Sequence, residues 1–321
     1  MPSARDALES VAAVVVTHRR RRLAGDLVRS LLGVEGFDPS HVVVVVSGEG
    51  GLDDEDLERR VRMHRLPTNV GPAEGFRVGM AEVFADPAIE WVYLCEDDVG
   101  LFAFPVPRVA AVVSWAAARQ DAVPVGAVVA YGRTFAAHGG HTVNTVPEDR
   151  GDPLAPVDVA CWGATLVSRA VADAGVLPDA EWFFGLEDFD FFCRMRAAGF
   201  SVLVDAAAAR AVADQQTSQG RADTLAPHRP VDADEAWRAY YVARNFFAFA
   251  RRHGKRRWIA WHLVYSVRRL QLAGSRFERR AYLHGLWDGM RGRLGSNPRY
   301  QSERGELTVP RDSASDAPSS S

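Results

Sequence analysis

W-V-Y-L-C-E-D-D, Trp91 to Asp98, reads as a buried strand that ends in three carboxylates. An apolar run of strand length with no polar alternation is covered on both faces. Carboxylates at the C-terminal end of such a strand stand where open α/β sheets bind their ligands. Several oxygens within three residues suit a hard divalent cation that also holds diphosphate oxygens. An acidic surface loop is the other reading of Glu96, Asp97 and Asp98, and the triplet by itself does not choose between them.

Outward from this strand the same alternation continues. Val11 to Thr17 is a valine-rich strand, followed by the basic segment His18 to Arg22 and a helix over Leu23 to Leu32. His41 to Val46 is a second strand, closed by the loop Ser47 to Gly51. The pattern predicts a helix over Leu57 to His64, a short strand at Arg65 to Pro67 and a helix from Ala73 to Phe84. Downstream it predicts strands at Val125 to Tyr131 and Asp158 to Val167, with a long surface loop from His138 to Pro156 between them. Strands alternating with helices specify an α/β fold, a mostly parallel sheet covered on both faces. Beyond about residue 225 the composition turns to arginine and aromatics. Helices are predicted at Ala236 to Arg252, Arg257 to Leu272 and Arg279 to Leu294, and the serine-rich stretch Gln301 to Ser321 reads as disordered. No internal repeat is present.

The 321 residues, 47% hydrophobic and 25% charged, are those of a globular chain with a sizeable core. A net charge of -3 does not point to nucleic acid. Cys95, Cys161 and Cys193 have neither disulfide-framework nor zinc spacing and read as buried free thiols. The first ten residues carry no signal-like apolar run, which makes a cytoplasmic location the expectation. Trp258 to Val267 is too short to span a bilayer, which takes about 20 apolar residues.

Two further constellations stand out. In N-V-G-P-A-E-G-F-R-V-G, Asn69 to Gly79, Gly71 suits a tight turn, and Gly75 and Gly79 share one helical face. That face admits either a ligand or a closely packed backbone. In W-F-F-G-L-E-D-F-D-F-F-C-R-M-R, Trp182 to Arg196, aromatic walls surround Glu187, Asp188 and Asp190. A carboxylate there has its pKa raised and suits a general base near neutral pH. An acidic first helical turn favoured by the helix dipole is the plainer reading, and the two are compatible.

In order along the chain, V-V-V-T-H-R-R (Val14 to Arg20), N-x-G-x-A-x-G (Asn69 to Gly75), E-D-D (Glu96 to Asp98) and E-D-F-D (Glu187 to Asp190) resemble the family-2 glycosyltransferases of the GT-A fold. The resemblance runs over about residues 11 to 250. Y-Y-V-A-R-N, Tyr240 to Asn245, resembles a stretch of bacterial members that transfer galactofuranose or rhamnose.

The resemblance implies an inverting transferase that moves a sugar from a nucleotide diphosphate (UDP-galactofuranose, dTDP-rhamnose or a UDP-hexose) to a glycan or lipid-linked acceptor. It implies a GT-A nucleotide-diphospho-sugar transferase domain over 1–228, a helical region over 229–300 and a tail over 301–321. Thr17, His18, Arg19, Asn69, Gly75, Glu96 and Asp97 would bind the nucleotide sugar, with Ser47 standing where an acidic residue usually reads the base. Asp98 and Glu96 would hold a divalent metal ion, Mn2+ or Mg2+. Where the family has a metal-binding histidine, one alignment places Arg210, which cannot ligate a cation, and another places Asp214, which can and is the expected third ligand. Asp188 would be the general base beside Glu187. Trp162 and Gly163 would line the acceptor site, a core tryptophan being the alternative.

The basic and aromatic helices after Lys255 read either as an ordinary solvated face or as a surface resting on anionic lipid. Two rival functions are weighed. A sugar nucleotidyltransferase would carry a Gly-rich loop after the first strand, which T-H-R-R-R-R lacks. A non-catalytic sugar-nucleotide-binding partner in a glycan-assembly complex fits Ser47 and the missing histidine, but not the presence of both Asp98 and Asp188.

Overall fold

A computed structural model of the chain describes residues 7–98, 108–119, 123–136, 141–147, 152–218 and 237–300. The predicted tail over 301–321 lies outside them. The chain enters through β1 (Val11–Thr17), α1 (Arg21–Ser30) and a π-helical turn at Leu31–Glu35. There follow β2 (Val42–Ser47), α2 (Glu55–Arg60), β3 (Arg62–Leu66), α3 (Gly71–Phe84) and β4 (Trp91–Glu96). Next come α4 (Val109–Ala118), β5 (Val125–Val129), β6 (Gly132–Phe135), β7 (Thr142–Thr145), β8 (Leu154–Pro156), β9 (Val159–Ala160) and β10 (Thr165–Ser168). Beyond them lie α5 (Arg169–Asp173), α6 (Glu187–Ala197), β11 (Ser201–Asp205) and α7 (Ala206–Ser218), then α8 (Arg238–Arg252), α9 (Arg256–Leu272) and α10 (Arg276–Met290).

Among the described residues, eight strands form one sheet in the order β3-β2-β1-β4-β10-β5-β11-β8. β1 pairs in parallel with both β2 and β4, and β2 with β3. Both faces of β1 are buried because alternate residues enter separate cores. Ala12, Val14 and Val16 meet Phe76 and Met80 of α3, while Val11, Ala13 and Val15 meet the face covered by α1 and α4. Each fully buried valine contributes roughly 1.5–3 kcal/mol through apolar burial, so the valine runs hold the centre of the sheet. The α/β reading is the observed fold.

β10 is the exception in direction. It runs antiparallel to both β4 and β5, Thr165 standing opposite Leu94 and Val129. The turn that feeds it therefore lies at the same sheet edge as the C-terminal ends of β4 and β5, which brings Trp162 and Gly163 to that edge. A small second sheet, β7-β6-β9, sits beside it.

Several boundaries differ from the sequence reading. The helix expected over Leu57 to His64 stops at Arg60, and Arg62–Leu66 is strand. β3 lies at the sheet edge, pairs with β2 alone and tolerates polar side chains facing water, so it has no apolar signature. The loop expected from His138 to Pro156 contains β7 and β8. The strand expected over Asp158 to Val167 is two strands with a turn between them, where Ala164 has a left-handed φ of 53°.

The C-terminal helices are joined to the sheet rather than detached. Phe249, Ala250 and Trp258 belong to the same core as β1 and α6. Asp190 of α6, fully buried, is bound by Arg194, Arg252 and His253 at 2.8, 3.2 and 2.9 Å. A buried carboxylate needs such compensation, and here it pins α6 to the end of α8.

Candidate active site

The C-terminal ends of β1, β2 and β4 meet at one edge, Glu96 standing opposite Val16. The Thr17 hydroxyl donates to Asp97 Oδ2 at 2.8 Å. Arg20 Nη1 donates to Asp97 Oδ1 at 2.9 Å and to Asp98 Oδ2 at 3.2 Å. Asp97 is thus buried, turned towards β1 and neutralised by Arg20. Burial still pushes its carboxyl up, with Arg20 and Thr17 opposing. Thr17 and Asp97, both expected on the nucleotide, are engaged with each other. Arg20, which the sequence reading quoted within its motif without giving it a role, pairs with both Asp97 and Asp98.

Glu96 is in a different state. Burial pushes its carboxyl well above the usual range, and Asp98, Glu187, Asp188 and Asp97 push it further. The two acidic motifs, nearly ninety residues apart in the chain, are therefore electrostatic neighbours. Burial also lifts Glu187, to which the charge of Asp188 adds, and it lifts Asp188 against the pull of the Phe189 amide. Asp188 Oδ1 accepts that amide at 2.8 Å. Buried Arg133 of β6, absent from the sequence reading, opposes the rise at Asp188 by its charge.

The pair is presented by an unusual turn. Gly185 and Leu186 both have left-handed backbones, with φ of 82° and 66°. For leucine this conformation costs of order 1–3 kcal/mol and persists only where the surroundings impose it. The turn starts α6 at Glu187 and puts both carboxylates in its first turn, where the helix dipole favours them. Asn245 of α8 donates to the carbonyls of Phe184 and Gly185, each at 2.7 Å.

Trp162 resolves in favour of the core reading for its ring. The ring is fully buried against Phe76, Phe191 and Phe192, with centroids 4.8, 5.3 and 6.2 Å away, and leaves no face for a sugar. Its Nε1 edge instead lies beside Glu187, lowering that group's pKa. Yet among the described residues neither Trp162 Nε1 nor Glu187 Oε2 has a partner in hydrogen-bond geometry. Gly163 is half-buried on the turn.

The glycine constellation is structural where it can be tested by space. A Cβ on Gly75 would lie 2.7 Å from Val16 Cγ1, and one on Gly79 would lie 2.3 Å from Val14 Cγ1. Both let α3 settle onto β1, so the close-packing reading holds for that face. Asn69 Oδ1 accepts the Gly71 amide at 3.0 Å and faces the Ser47 hydroxyl at 3.3 Å. Ser47 Oγ accepts the Val70 amide at 3.0 Å, and the Ser47 carbonyl pairs with His18 Nδ1 at 2.5 Å. Burial lowers the His18 pKa, with the Ser47 carbonyl opposing. Arg19, left-handed at φ 61°, pairs with Glu49 at 3.2 Å.

The donor chemistry at this edge fits a hard cation. Glu96 and Asp98 offer carboxyl oxygens where acidic groups crowd together, beside a buried Glu187 oxygen that has no partner among the described residues. A magnesium-like ion is commonly held by one or two carboxylates, its other ligands being substrate phosphates and water. Asp214 does not join them. It is exposed on α7, and no group of three or more His, Cys, Asp or Glu among the described residues is placed to hold a metal together. The helix begins directly at the end of β11, which carries Asp214 more than two turns onward. Arg210 reaches the Pro147 carbonyl instead.

No family model matches the chain. Galactofuranosyltransferase GlfT1 of Mycobacterium tuberculosis is 37% identical over 99 residues, a stretch covering 28% of this chain and 31% of that protein. The same protein of Mycolicibacterium smegmatis is equally similar over 28% of this chain and 30% of its own length. The match thus spans under a third of the curated relatives. Among solved structures, GalNAc-T7 with UDP, GalNAc and Mn2+ overlaps 62% of this chain and 43% of its own, at 12% identity and a TM-score of 0.46. The mannosyltransferase PcManGT of Pyrobaculum calidifontis, with GDP-Man and Mn2+, overlaps 90% and 77%, at 13% identity and a TM-score of 0.45.

Proposed function

We propose that the chain is an inverting glycosyltransferase that takes a nucleotide-diphosphate sugar and delivers the sugar to a glycan or lipid-linked acceptor. One observation carries the reading: Glu96 and Asp98 at the end of β4 share one electrostatic neighbourhood with Glu187 and Asp188 at the start of α6. The partial identity with galactofuranosyltransferase GlfT1 supports the class and favours UDP-galactofuranose, with dTDP-rhamnose and UDP-hexoses as the other donors to test.

Asp188 is the base. It takes the proton of an acceptor hydroxyl as that oxygen bonds to the anomeric carbon. The bond from that carbon to the diphosphate oxygen breaks on the opposite face, and the nucleoside diphosphate leaves with the electron pair. A single displacement inverts the anomeric configuration. Burial suits Asp188 to this task, because a base titrating near the working pH is both available and strong enough. Glu96 and Asp98 would hold a divalent ion, Mn2+ or Mg2+, which when bound offsets the charge gathering on the leaving diphosphate. Thr17 and Asp97, bonded to each other, and His18, Arg19 and Asn69, held by the Ser47 carbonyl, Glu49 and the Gly71 amide, build the nucleotide side of the edge.

α9 supports a place at a membrane surface for this activity. Its exposed side carries Trp261, Leu263, Val264 and Val267 between Arg256 and Arg257 at one end and Arg268 at the other, with no acidic residue in the helix. Apolar faces flanked by arginine fit an anionic bilayer, where a lipid-linked acceptor resides. Among the described residues no helix is long and apolar enough to cross a membrane.

The test is turnover of a panel of nucleotide sugars with Mn2+, with Mg2+ and with chelator. Metal-dependent consumption of one donor, lost in Asp188→Asn while donor binding is kept, is the expected result. Absence of binding to every donor under every metal condition would overturn the reading.

A further inference from the structure

We propose that Asn245 is a positioning residue that sets the geometry of the Glu187–Asp188 pair by clamping the turn before α6. The inference rests on the functional reading above for its kinetic consequence, but its structural content stands on contacts alone.

Asn245 is fully buried in the middle of α8. Its Oδ1 accepts from Arg244 Nε at 2.7 Å. Arginine offers only donors, so the oxygen end of the amide must face it, and the NH2 end is thereby turned towards the turn. That end meets two carbonyl oxygens, those of Phe184 and Gly185, and both of its protons are used. Asparagine alone accepts on one side and donates twice on the other at this reach.

Arg244 is itself immobilised. It is buried, lies over the rings of Tyr240 and Tyr241 at 5.4 and 4.8 Å, and donates to the Gly295 carbonyl. A continuous chain of contacts therefore runs from the segment after α10, through Arg244 and Asn245, to the carbonyl of Gly185. The next residue, Leu186, holds the left-handed conformation that aims the helix start, and Glu187 and Asp188 follow. The amide of Gly185 also favours the ionised form of Glu187, so one peptide plane is held on its oxygen side by Asn245 and faces the carboxylate on its nitrogen side. Without the clamp, nothing in the local sequence keeps a leucine left-handed, and the turn relaxes.

The decisive variant is Asn245→Asp, which keeps shape and the Arg244 contact but offers no proton to the two carbonyls. Two readouts are taken on protein with wild-type circular dichroism. Backbone amide exchange over residues 184–189 should rise while exchange in β1 stays unchanged, whether or not a donor has been found. With the donor, kcat should fall on the order of 10²-fold, as small misplacements of a reacting group do, with KM for the donor unchanged and the pH profile displaced. A merely structural role would lower the folded fraction and leave the pH profile in place. Arg244→Lys, which frees the amide to turn, should move both readouts the same way and serves if the aspartate variant does not fold. Unchanged exchange over 184–189, or wild-type kcat and pH profile in a folded variant, would overturn the clamp. Failure of the wild type to use any donor would overturn the functional reading and leave the exchange result to judge the clamp.

Discussion

Gly71 lies directly against the Phe183 carbonyl: a Cβ at Gly71 would sit 2.0 Å from that oxygen. The contact joins the start of α3, beside Asn69 and Ser47, to the loop that carries Trp182 to Leu186. The loop after β3 and the carboxylate pair are thus braced by a close backbone approach. Gly71 also has a φ of 79°, which L side chains rarely adopt. Gly71→Ala meets both obstacles, and a loss of about 2–4 kcal/mol in chemical denaturation is expected. A variant with wild-type stability would show that the two loops part freely.

The second prediction concerns rate against pH. Burial lifts Asp188 to about 7 and Glu187 to about 8. A base works only when ionised, so kcat/KM should climb through neutral pH and level off above about 8. Because the two groups share protons, the profile belongs to the pair. Asp188→Asn should lose about 10²–10⁴-fold in kcat, the range for a positioned base. A flat profile between pH 6 and 8.5 would remove Asp188 from the chemistry.

Stability should run the other way. The folded pKa values of the pair are raised above the unfolded value of about 4. Between about pH 4 and about pH 8 the folded chain retains protons that the unfolded chain has released, so stability falls as pH rises through that window. Glu187→Gln removes one of these groups. Its melting temperature should equal the wild type near pH 4.5 and exceed it by several degrees at pH 8.5. Equal melting curves at both pH values would contradict the buried, strained state of the pair.

For α9 the measurement is vesicle binding. Val264 and Val267 are 68% and 61% exposed, beside Trp261. The wild type should sediment with vesicles containing anionic lipid and not with zwitterionic ones, and less as salt rises. Trp261→Ser with Val264→Ser should weaken binding about tenfold or more without lowering the melting temperature. Equal binding by this variant would assign the face another role.

What the sequence made legible follows from how each element hides from water. β1, β2 and β4 are buried on both faces and so read as unbroken apolar runs. β3 is an edge strand of arginine, methionine and histidine, and its pairing with β2 leaves no mark in its composition. α4 was missed because Val109–Ala118 is apolar almost all round and shows no helical period. At the site, the two acidic motifs were visible because each follows or starts a regular element. Arg20 was indistinguishable from its arginine neighbours until its contact with Asp97 and Asp98 was seen. Asn245 was visible only within a motif, since the partners of its NH2 group are backbone carbonyls sixty residues away and carry no side-chain signature.

The clamp from α8 has a consequence for the order in which the protein is made. Among the described residues, the last strand of the large sheet to emerge is β11, which ends at residue 205. A nascent chain of that length already holds Glu96, Asp98, Glu187 and Asp188, yet the turn that aims the last two still lacks its partner. Synthesis proceeds from the N-terminus at roughly 5–20 residues per second, so for some seconds on the ribosome the carboxylates are present but unset. If the clamp sets the pair as proposed, the two carboxylates take up their final geometry only after the helix that carries Asn245 has been made.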